Sequence, residues 1–314
     1  MTNVAVVIIC SIISVESVFI LIGNIFTIYV FWIHRARLKR TSFLLINLAI
    51  ADLLVGATEP IAIGTGAIHR HFQGNKTDEV LVSNQDDFSA IIPTMFSCSS
   101  LFFLVLISLE RAYAVVCPLR HRLASNKSYI WCIVTVWVIG GFVGAVLLLA
   151  TAKMWSLEIS QYIICSMIFS ALAIICGSYW SIRNKLYSRD VPAINRSSRN
   201  NVEQNIKLSK TLCIVTAASC VCWLPGSILY FVNAVCKCYI SMGALYATTL
   251  FNIASSFVNP VIYSFRMPIF KEPLSKLKPR RTRNNRRSSK AGVKSPNDLS
   301  KPVAMLDFNE IPYS

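Results

Sequence analysis

Seven long apolar stretches constrain the fold of this chain more than any other feature. Each is long enough to cross the roughly 30 Å hydrocarbon core of a bilayer as a helix. Barrel strands are excluded, because they would need an alternation of apolar and polar residues that these stretches lack. Only 15% of the residues are charged, against about 25% in a soluble domain. The predicted spans are 4–33, 41–68, 88–117, 128–152, 160–187, 206–235 and 240–264.

The basic residues predict the orientation of the chain. Segments 34–40, 111–127, 183–210 and 265–314 hold four, four, seven and twelve Lys and Arg residues, which is 27 of the 31. Because basic residues accumulate in cytoplasmic loops, we expect an extracellular N-terminus, a cytoplasmic C-terminus and a multi-pass location in the plasma membrane. Asn75 then lies in an outer loop as a glycosylation acceptor, with a chance sequon as the alternative.

Composition also predicts two regions and excludes one class of partner. Residues 1–270 are expected to form the helical bundle, and 271–314 a disordered basic cytoplasmic tail rich in Ser, Asn and Pro. The net charge of +16 lies in loops and tail, without a nucleic-acid motif, so we expect no nucleic-acid partner. The eleven cysteines show no zinc-site spacing.

Polar residues inside apolar helices are costly and usually functional, and here they form an ordered set of motifs. The set comprises Gly23-Asn24, Asn47 to Asp52, Glu110-Arg111, Trp137, Tyr179, Trp223-Leu224-Pro225 and Asn259-Pro260 with Tyr263. In order and spacing over all seven spans, this set resembles the rhodopsin-like (class A) G-protein-coupled receptors. The resemblance implies an all-α membrane protein: a seven-transmembrane helix bundle with a short amphipathic eighth helix, acting as a receptor and not as an enzyme.

The same resemblance implies a mechanism. The receptor would bind an extracellular small molecule, lipid or short peptide and activate heterotrimeric G proteins by outward movement of the sixth helix, with arrestin and a receptor kinase as further partners. Arg111 would pair with Glu110 at rest and swing toward Tyr179 on activation, while Pro225 kinks the sixth span. The implied activation switch comprises Glu110, Arg111, Tyr179, Trp223, Pro225, Asn259, Pro260 and Tyr263.

By resemblance, Asp52 would also hold a sodium ion as an allosteric modulator, since hard oxygen ligands suit such a cation. The alternative is a protonated Asp52 in a structural hydrogen-bond network. The implied sodium site comprises Asp52, Asn24, Ser100, Ser255, Ser256 and Asn259.

Three positions depart from the family pattern. Asp86 stands where most members have a cysteine, Ala171 replaces a proline, and Ser219 replaces a phenylalanine. With a short second outer loop, about 153–159, these losses resemble the melanocortin, cannabinoid and lysophospholipid receptors, and the usual disulfide cannot form. Two readings remain for the other outer cysteines. Cys236 or Cys238 pairs with Cys165, or all three are free thiols.

The expected ligand pocket lies in the outer half of the bundle. Amine receptors carry an aspartate where this chain has Pro93, which disfavours an amine held at that position. Glu59 is the only acid among the candidates, and it either binds a basic ligand group or caps the helix bend beside Pro60. The predicted pocket residues are Glu59, Pro93, Ser97, Tyr230, Asn233, Tyr246 and Asn252.

Two rival functions follow from the same features. Asp52, Glu16 and Glu59 could form an ion path in a transporter or channel, although no paired broken repeats are visible. A membrane chaperone would keep the fold but would not need the Glu110-Arg111 and Asn259-to-Tyr263 motifs.

Overall fold

The structure, a computed structural model, describes residues 3–35, 40–73, 79–80, 88–187, 196–237, 240–267 and 269–270. A 3-10 turn, Phe88–Ala90, leads into the third long helix, and a short loop helix, Pro118–Leu123, follows it. Two short strands, β1 (Glu79–Val80) and β2 (Ile240–Ser241), pair in antiparallel register. The seven long helices are α1 (Asn3–Ile33), α2 (Arg40–Gln73), α3 (Ile91–Val116), α4 (Asn126–Thr151), α5 (Leu157–Tyr187), α6 (Arg196–Cys236) and α7 (Met242–Arg266).

The seven-helix bundle predicted from the sequence is confirmed, although α7 is less apolar than the rest. In the described ranges, six helices, α1 to α6, are long and apolar enough to cross a membrane. α7 is 25 residues long but places Ser255, Ser256 and Asn259 in the interior of the bundle. Its polarity therefore faces other helices instead of lipid, which is where polar groups of a membrane helix normally lie. Large apolar side chains such as Trp131 and Trp180 are exposed on the outside.

Two helices extend further than the apolar stretches indicated. α6 begins at Arg196, ten residues before the predicted start at 206, and α2 ends at Gln73 instead of 68. The hydrophobic signal stops where the helix leaves the hydrocarbon, but intrahelical hydrogen bonds continue through polar residues that are compatible with helix. The other ends agree with the predicted spans within three residues.

α3 lies at the centre of the bundle and packs against α2, α4 and α5. Its buried face supplies Leu101, Phe103 and Leu104 to the main apolar core. On its outer half, Gly140 of α4 approaches so closely that an added Cβ would lie 2.0 Å from Ser99 Oγ. Small residues at such crossings let helix backbones come together, which is the main source of helix association in a membrane.

Polar contacts, and no disulfide among the described residues, connect the outer ends of the helices. Cys165 and Cys236 are both free thiols, so they do not pair with each other; Cys238, Asp86 and Asn75 lie outside the described residues. The second outer loop is as short as predicted, since α4 ends at Thr151 and α5 begins at Leu157. The Tyr162 hydroxyl donates to the Ala234 carbonyl at 2.8 Å, and Trp155 Nε1 donates to the Val146 carbonyl at 3.2 Å. Lys237 Nζ forms an ion pair with a Glu158 carboxylate oxygen at 3.0 Å.

Beyond α7, the chain is described only as far as Phe270. This side chain is fully buried and packs edge-on against Phe31 of α1 and Phe26. The eighth helix was predicted after Tyr263, with Phe265, Arg266, Phe270 and Leu274 on its apolar face; Phe265 and Arg266 belong to α7, and Leu274 and the predicted tail over 271–314 lie outside the described residues.

Candidate functional site

A cavity of about 270 Å³ opens between helices α2 to α7, in the half of the bundle that holds the N-terminal end of α3. Six of the seven predicted pocket residues line it: Glu59, Pro93, Ser97, Tyr230, Tyr246 and Asn252. Polar residues that the sequence did not single out complete the wall, and they are Thr94, Thr151, Ser160, Gln161, Ser227, Thr248 and Thr249. Their signal was weak, because a serine or threonine in a membrane helix usually bonds its own backbone.

Asn233 was predicted to line this pocket and does not. Trp223, Ser227 and Tyr230 lie on the cavity face of α6, at the spacing of three to four residues that keeps side chains on one helix face. Asn233 is buried but does not belong to the lining. It lies in the last turn of α6, where its carbonyl accepts the Lys237 N–H at 2.8 Å. The sequence correctly placed Asn233 in the last turns of α6, but it did not show that the cavity ends before this residue.

Trp223 forms part of the inner wall of the cavity, and its exposure is only 5%. Its carbonyl oxygen accepts the Ser227 hydroxyl at 2.8 Å. Pro225 lies two residues further along α6 and interrupts the backbone hydrogen bonds there. A ligand in the cavity would therefore contact the helix directly beside its weakest point.

Glu59 faces the same cavity from α2. Its carboxylate makes no hydrogen bond and no ion pair with another described residue. Capping of the bend beside Pro60, one of the two interpretations of this residue, would require such a bond. The structure therefore leaves an uncompensated acid in the wall of the cavity.

A second polar cluster lies deeper in the bundle around Asp52, which is fully buried. The Ser100 hydroxyl donates to Asp52 Oδ1 at 2.5 Å, and Asn259 Nδ2 donates to Asp52 Oδ2 at 2.7 Å. Ser256 lies close enough to interact with the carboxylate. Asn24 Nδ2 donates to the Ser256 carbonyl at 3.2 Å and links α1 to α7. Side chains of α2, α3 and α7 thus meet at one carboxylate, and α1 joins the cluster through Asn24.

This cluster has the chemistry that a sodium ion requires. The side-chain oxygen of Asn24 is buried and has no hydrogen-bond partner among the described residues. An orphaned buried acceptor beside a carboxylate and two hydroxyls is a suitable set of hard ligands for a small cation. Of the predicted set, Ser255 stands apart, because its hydroxyl donates to the Asn252 carbonyl in the same helix at 2.7 Å. No cluster of three or more His, Cys, Asp or Glu residues occurs in the described ranges.

Near the C-terminal end of α3, Arg111 forms a buried ion pair with Glu110. Nε of Arg111 donates to one carboxylate oxygen and Nη2 to the other, which is the bidentate geometry of strong guanidinium–carboxylate pairs. Nη2 also donates to Thr41 Oγ1 of α2, and the Thr41 hydroxyl donates to Glu110 Oε1 at 3.3 Å. The pair is therefore fastened to a neighbouring helix.

The loop helix adds a further partner to this pair. His121 Nε2 lies 3.0 Å from Glu110 Oε1, and the Tyr129 hydroxyl of α4 lies 3.2 Å from the same nitrogen. The His121 ring also packs edge-on against Tyr113, with 5.9 Å between ring centroids. Sequence reasoning missed these groups and Thr41. Thr41 is 70 positions from Arg111, so no local pattern indicates their contact. The usable signal was that Thr41 is a polar residue at the same depth in the membrane as Arg111. We call Glu110, Arg111, Thr41 and His121 the arginine latch.

The two tyrosines of the predicted switch are held away from Arg111. Tyr179 OH donates to Thr216 Oγ1 and to the Leu212 carbonyl, at 3.2 Å for the latter, and so connects α5 to α6. Tyr263 is buried between Phe31 and Phe270, and its hydroxyl has no hydrogen-bond partner among the described residues.

Ser219, which replaces the usual phenylalanine, links α6 to the Asp52 cluster. Its hydroxyl donates to the Val215 carbonyl at 3.1 Å and lies 3.5 Å from Asn259 Oδ1. Asn259 in turn donates to Asp52. A weak polar contact thus occupies the place of an apolar relay residue.

A bundle of seven membrane helices, with a ligand-sized cavity at one end and a buried arginine latch at the other, is the architecture of a membrane signalling receptor. The family described as "7 transmembrane receptor (rhodopsin family)" matches residues 23–263. The chain belongs to this family of G-protein-coupled receptors, and the predictions of a class A receptor and of a non-enzymatic protein are confirmed.

Several individual receptors resemble the chain over most of its length. The adenosine receptor A3 of Ovis aries is 23% identical over 284 residues, covering 80% of this chain and 83% of its own. The trace amine-associated receptor 13c of Danio rerio is 26% identical and covers 75% of both chains. The lysophosphatidic acid receptor 1-B of Xenopus laevis is 26% identical, with 79% of this chain and 69% of its own covered.

Proposed function

We propose that this multi-pass receptor lies in the plasma membrane with its N-terminus outside and its C-terminus in the cytoplasm. An extracellular ligand enters the cavity and shifts the bundle to a second packing, in which the cytoplasmic half of α6 has moved outward. The exposed crevice then binds and activates a heterotrimeric G protein. Arrestin and a receptor kinase are proposed as later partners of the activated state, and Asn75 as a glycosylated residue.

The observation that carries this proposal is the double engagement of α6. Its outer half contributes Trp223 and Tyr230 to the cavity wall. Its inner half holds Tyr179 through Thr216 and touches Asn259 through Ser219. Pro225 lies in α6 between Trp223 and Tyr230 and interrupts the backbone hydrogen bonds of the helix there. A ligand that favours a different position of Trp223 therefore acts on the same helix whose movement would release Tyr179.

The ligand itself is proposed to be small. The three relatives are named for adenosine, trace amines and lysophosphatidic acid, which are chemically unlike, so family membership alone favours none of these classes. The cavity of about 270 Å³ is slightly smaller than most ligand pockets, which measure about 300–1,000 Å³. This volume favours a small molecule over a lipid or peptide.

Sodium is proposed as a negative modulator of this switch. Asp52, Ser100, Ser256, Asn259 and Asn24 would hold the ion, and it would supply a positive charge that stabilises the inward packing of α7 on α2 and α3. In the absence of the ion, Asp52 is satisfied by the hydrogen bonds from Ser100 and Asn259.

Nucleotide exchange on a purified G protein tests the proposal directly. The receptor is reconstituted in vesicles with a heterotrimer, and binding of a non-hydrolysable GTP analogue is followed in the wild type and in Arg111→Ala. We expect the wild type to accelerate exchange above empty vesicles and Arg111→Ala to abolish the acceleration. Arg35→Ala is the matched control, because Arg35 is exposed and its side chain bonds to the nearby Trp32 of α1.

Two results would contradict the proposal. One is an Arg111→Ala receptor that signals fully at equal surface expression. The other is movement of ions across the vesicle membrane without any effect on nucleotide exchange, which is the behaviour of the rival transporter.

A further inference from the structure

Within the part of the lining that the structure describes, the cavity carries one charged group and none of opposite sign. Glu59 is the only Asp, Glu, Lys, Arg or His among the described residues that line the cavity. The remaining wall is made of hydroxyls, amides, aromatic rings and aliphatic groups. A lone carboxylate makes the electrostatic potential of this enclosed space negative, and low-dielectric walls extend that potential across it.

Local structure does not account for this carboxylate. Pro60 prevents one backbone hydrogen bond and so frees the carbonyl of Gly56 four residues earlier. That carbonyl and an ionised carboxylate are both acceptors, so Glu59 cannot cap it. Glu59 has no bond to any other described residue either. Glu59 is half-buried, and a partly desolvated carboxylate without a partner is unfavourable, so an acid in this position is expected to pair with something that enters the cavity.

The residues around Glu59 also suit a bound cation. Tyr230 of α6 lies within electrostatic reach of Glu59, and Tyr246 of α7 lines the same cavity. Aromatic faces attract a cation that lies above them. Ile168, Cys165 and Trp223 add apolar surface to the same lining. The cavity thus combines a single acidic group with a largely apolar wall.

We infer that the ligand is a small organic amine with an apolar body, and that Glu59 is the counter-ion of its protonated nitrogen. The inference rests on the proposed function only in taking this cavity as the ligand site. Pro93 removes the acid from α3, and Glu59 supplies one from α2 in the same cavity. An anionic ligand is excluded by the same geometry, because no described lining residue offers it a positive charge.

Matched sets of small probes test the charge of the ligand. Each set has one carbon frame and three end groups: 2-phenylethylamine, 2-phenylethanol and phenylacetate, with indole and cyclohexyl frames treated alike. Thermal unfolding of the full-length receptor in lipid nanodiscs reports binding, since a ligand of the folded state raises the midpoint in proportion to its occupancy. We expect the amine of at least one frame to raise the midpoint, and its alcohol and carboxylate to have little effect.

Substitution then assigns the preference to one residue. Glu59→Gln keeps the size and removes the charge, and we expect it to weaken amine binding by about tenfold to a hundredfold while leaving the weak binding of the alcohol unchanged. Glu59→Asp is expected to retain the preference for the amine. Glu16→Gln is the matched control, because Glu16 is an acid of α1 outside the cavity lining, and it should bind amines as the wild type does.

A native thiol gives a second readout that needs no ligand. Cys165 is free and lines the cavity. Peptide mass mapping compares the rates at which this thiol reacts with two reagents, the cationic 2-aminoethyl methanethiosulfonate and the anionic 2-sulfonatoethyl methanethiosulfonate. A negative cavity favours the cation by about tenfold or more, and Glu59→Gln should reduce this ratio while Glu16→Gln should not.

The inference is overturned if no amine stabilises the receptor, if the alcohols or carboxylates bind as well as the amines, or if Glu59→Gln retains the wild-type preference. Equal reaction of Cys165 with both reagents has the same consequence. None of these measurements involves a G protein. Loss of amine preference with intact nucleotide exchange therefore refutes this inference alone, and amine binding without nucleotide exchange refutes the proposed function alone.

Discussion

Thr41 is expected to restrain the ligand-free receptor, and its replacement by valine should raise basal activity. Thr41 is 4% exposed and accepts a hydrogen bond from Arg111 Nη2 while donating to Glu110 at 3.3 Å. Valine has nearly the same shape but no hydroxyl. Both hydrogen bonds to the buried ion pair are lost, and α2 no longer holds Arg111.

The size of the effect follows from the charge of the partners. A hydrogen bond to a charged group contributes about 1.5–3 kcal/mol. The bond to Glu110 is long at 3.3 Å and contributes little, so the Arg111 bond dominates. Glu110 and His121 remain to hold the latch together, which limits the loss to this range. Because about 1.4 kcal/mol is tenfold in an equilibrium constant, the active population should rise by about tenfold to a hundredfold, within the limit of full activation.

Basal nucleotide exchange in vesicles, without ligand, measures this population. Thr41→Val should exchange several times faster than the wild type at equal receptor density. Thr41→Ser, which keeps the hydroxyl, should stay close to the wild type. Thr27→Val is the matched control, since Thr27 is a buried threonine whose hydroxyl bonds only the Gly23 carbonyl of its own helix, at 2.8 Å. Unchanged exchange in Thr41→Val, or equal increases in Thr41→Val and Thr27→Val, would refute the reasoning.

Two further predictions address the Asp52 cluster and helix packing. Replacing sodium by N-methylglucamine is expected to raise basal exchange in the wild type. Asp52→Asn removes the charge that would hold sodium, so the same replacement should have no effect in this variant; an unchanged sodium response would reject the ion site. Gly140→Ala brings a Cβ within 2.0 Å of Ser99 Oγ and should destabilise the bundle by about 1–3 kcal/mol, measured as a lower thermal midpoint, whereas the adjacent Gly141→Ala, with nothing within 4 Å, should be neutral or stabilising. Equal midpoints for the two alanine variants would contradict the packing argument.

The sequence was sufficient for the membrane helices and for the residues that face the interior. Apolar length determines where a helix can cross the bilayer, and a polar residue in such a helix must turn inward, so Asp52, Asn259 and Arg111 could be placed in the interior without coordinates. The start of α6 at Arg196 could not be placed in this way, because hydropathy reports the membrane boundary and not the end of the hydrogen-bonded helix.

Contacts between helices distant in sequence were the least predictable. Neither the fastening of Arg111 by Thr41 nor the approach of His121 to Glu110 has a local pattern, since both depend on how α2 and the loop helix meet α3. The pairing of β1 with β2 is similar: two-residue strands from separate outer loops carry no periodic signal. Asn233 shows the opposite error: a contact with the cavity was predicted from its polarity and its place in α6, but the residue lies beyond the cavity.

Ser219 suggests how the cavity and the latch communicate in a chain that lacks the usual apolar relay. α6 packs more extensively on α7 than on α5 or α3. Along this interface, Trp223 borders the cavity, Ser219 lies one turn inward at 3.5 Å from Asn259 Oδ1, and Asn259 donates to Asp52. A 3.5 Å contact is weak enough to break at little cost, whereas a packed phenylalanine would have to leave its pocket. Displacement of Trp223 would therefore act first on the hydrogen bonds of α7, and the tyrosine of α5 would follow when Thr216 moves with the rest of α6.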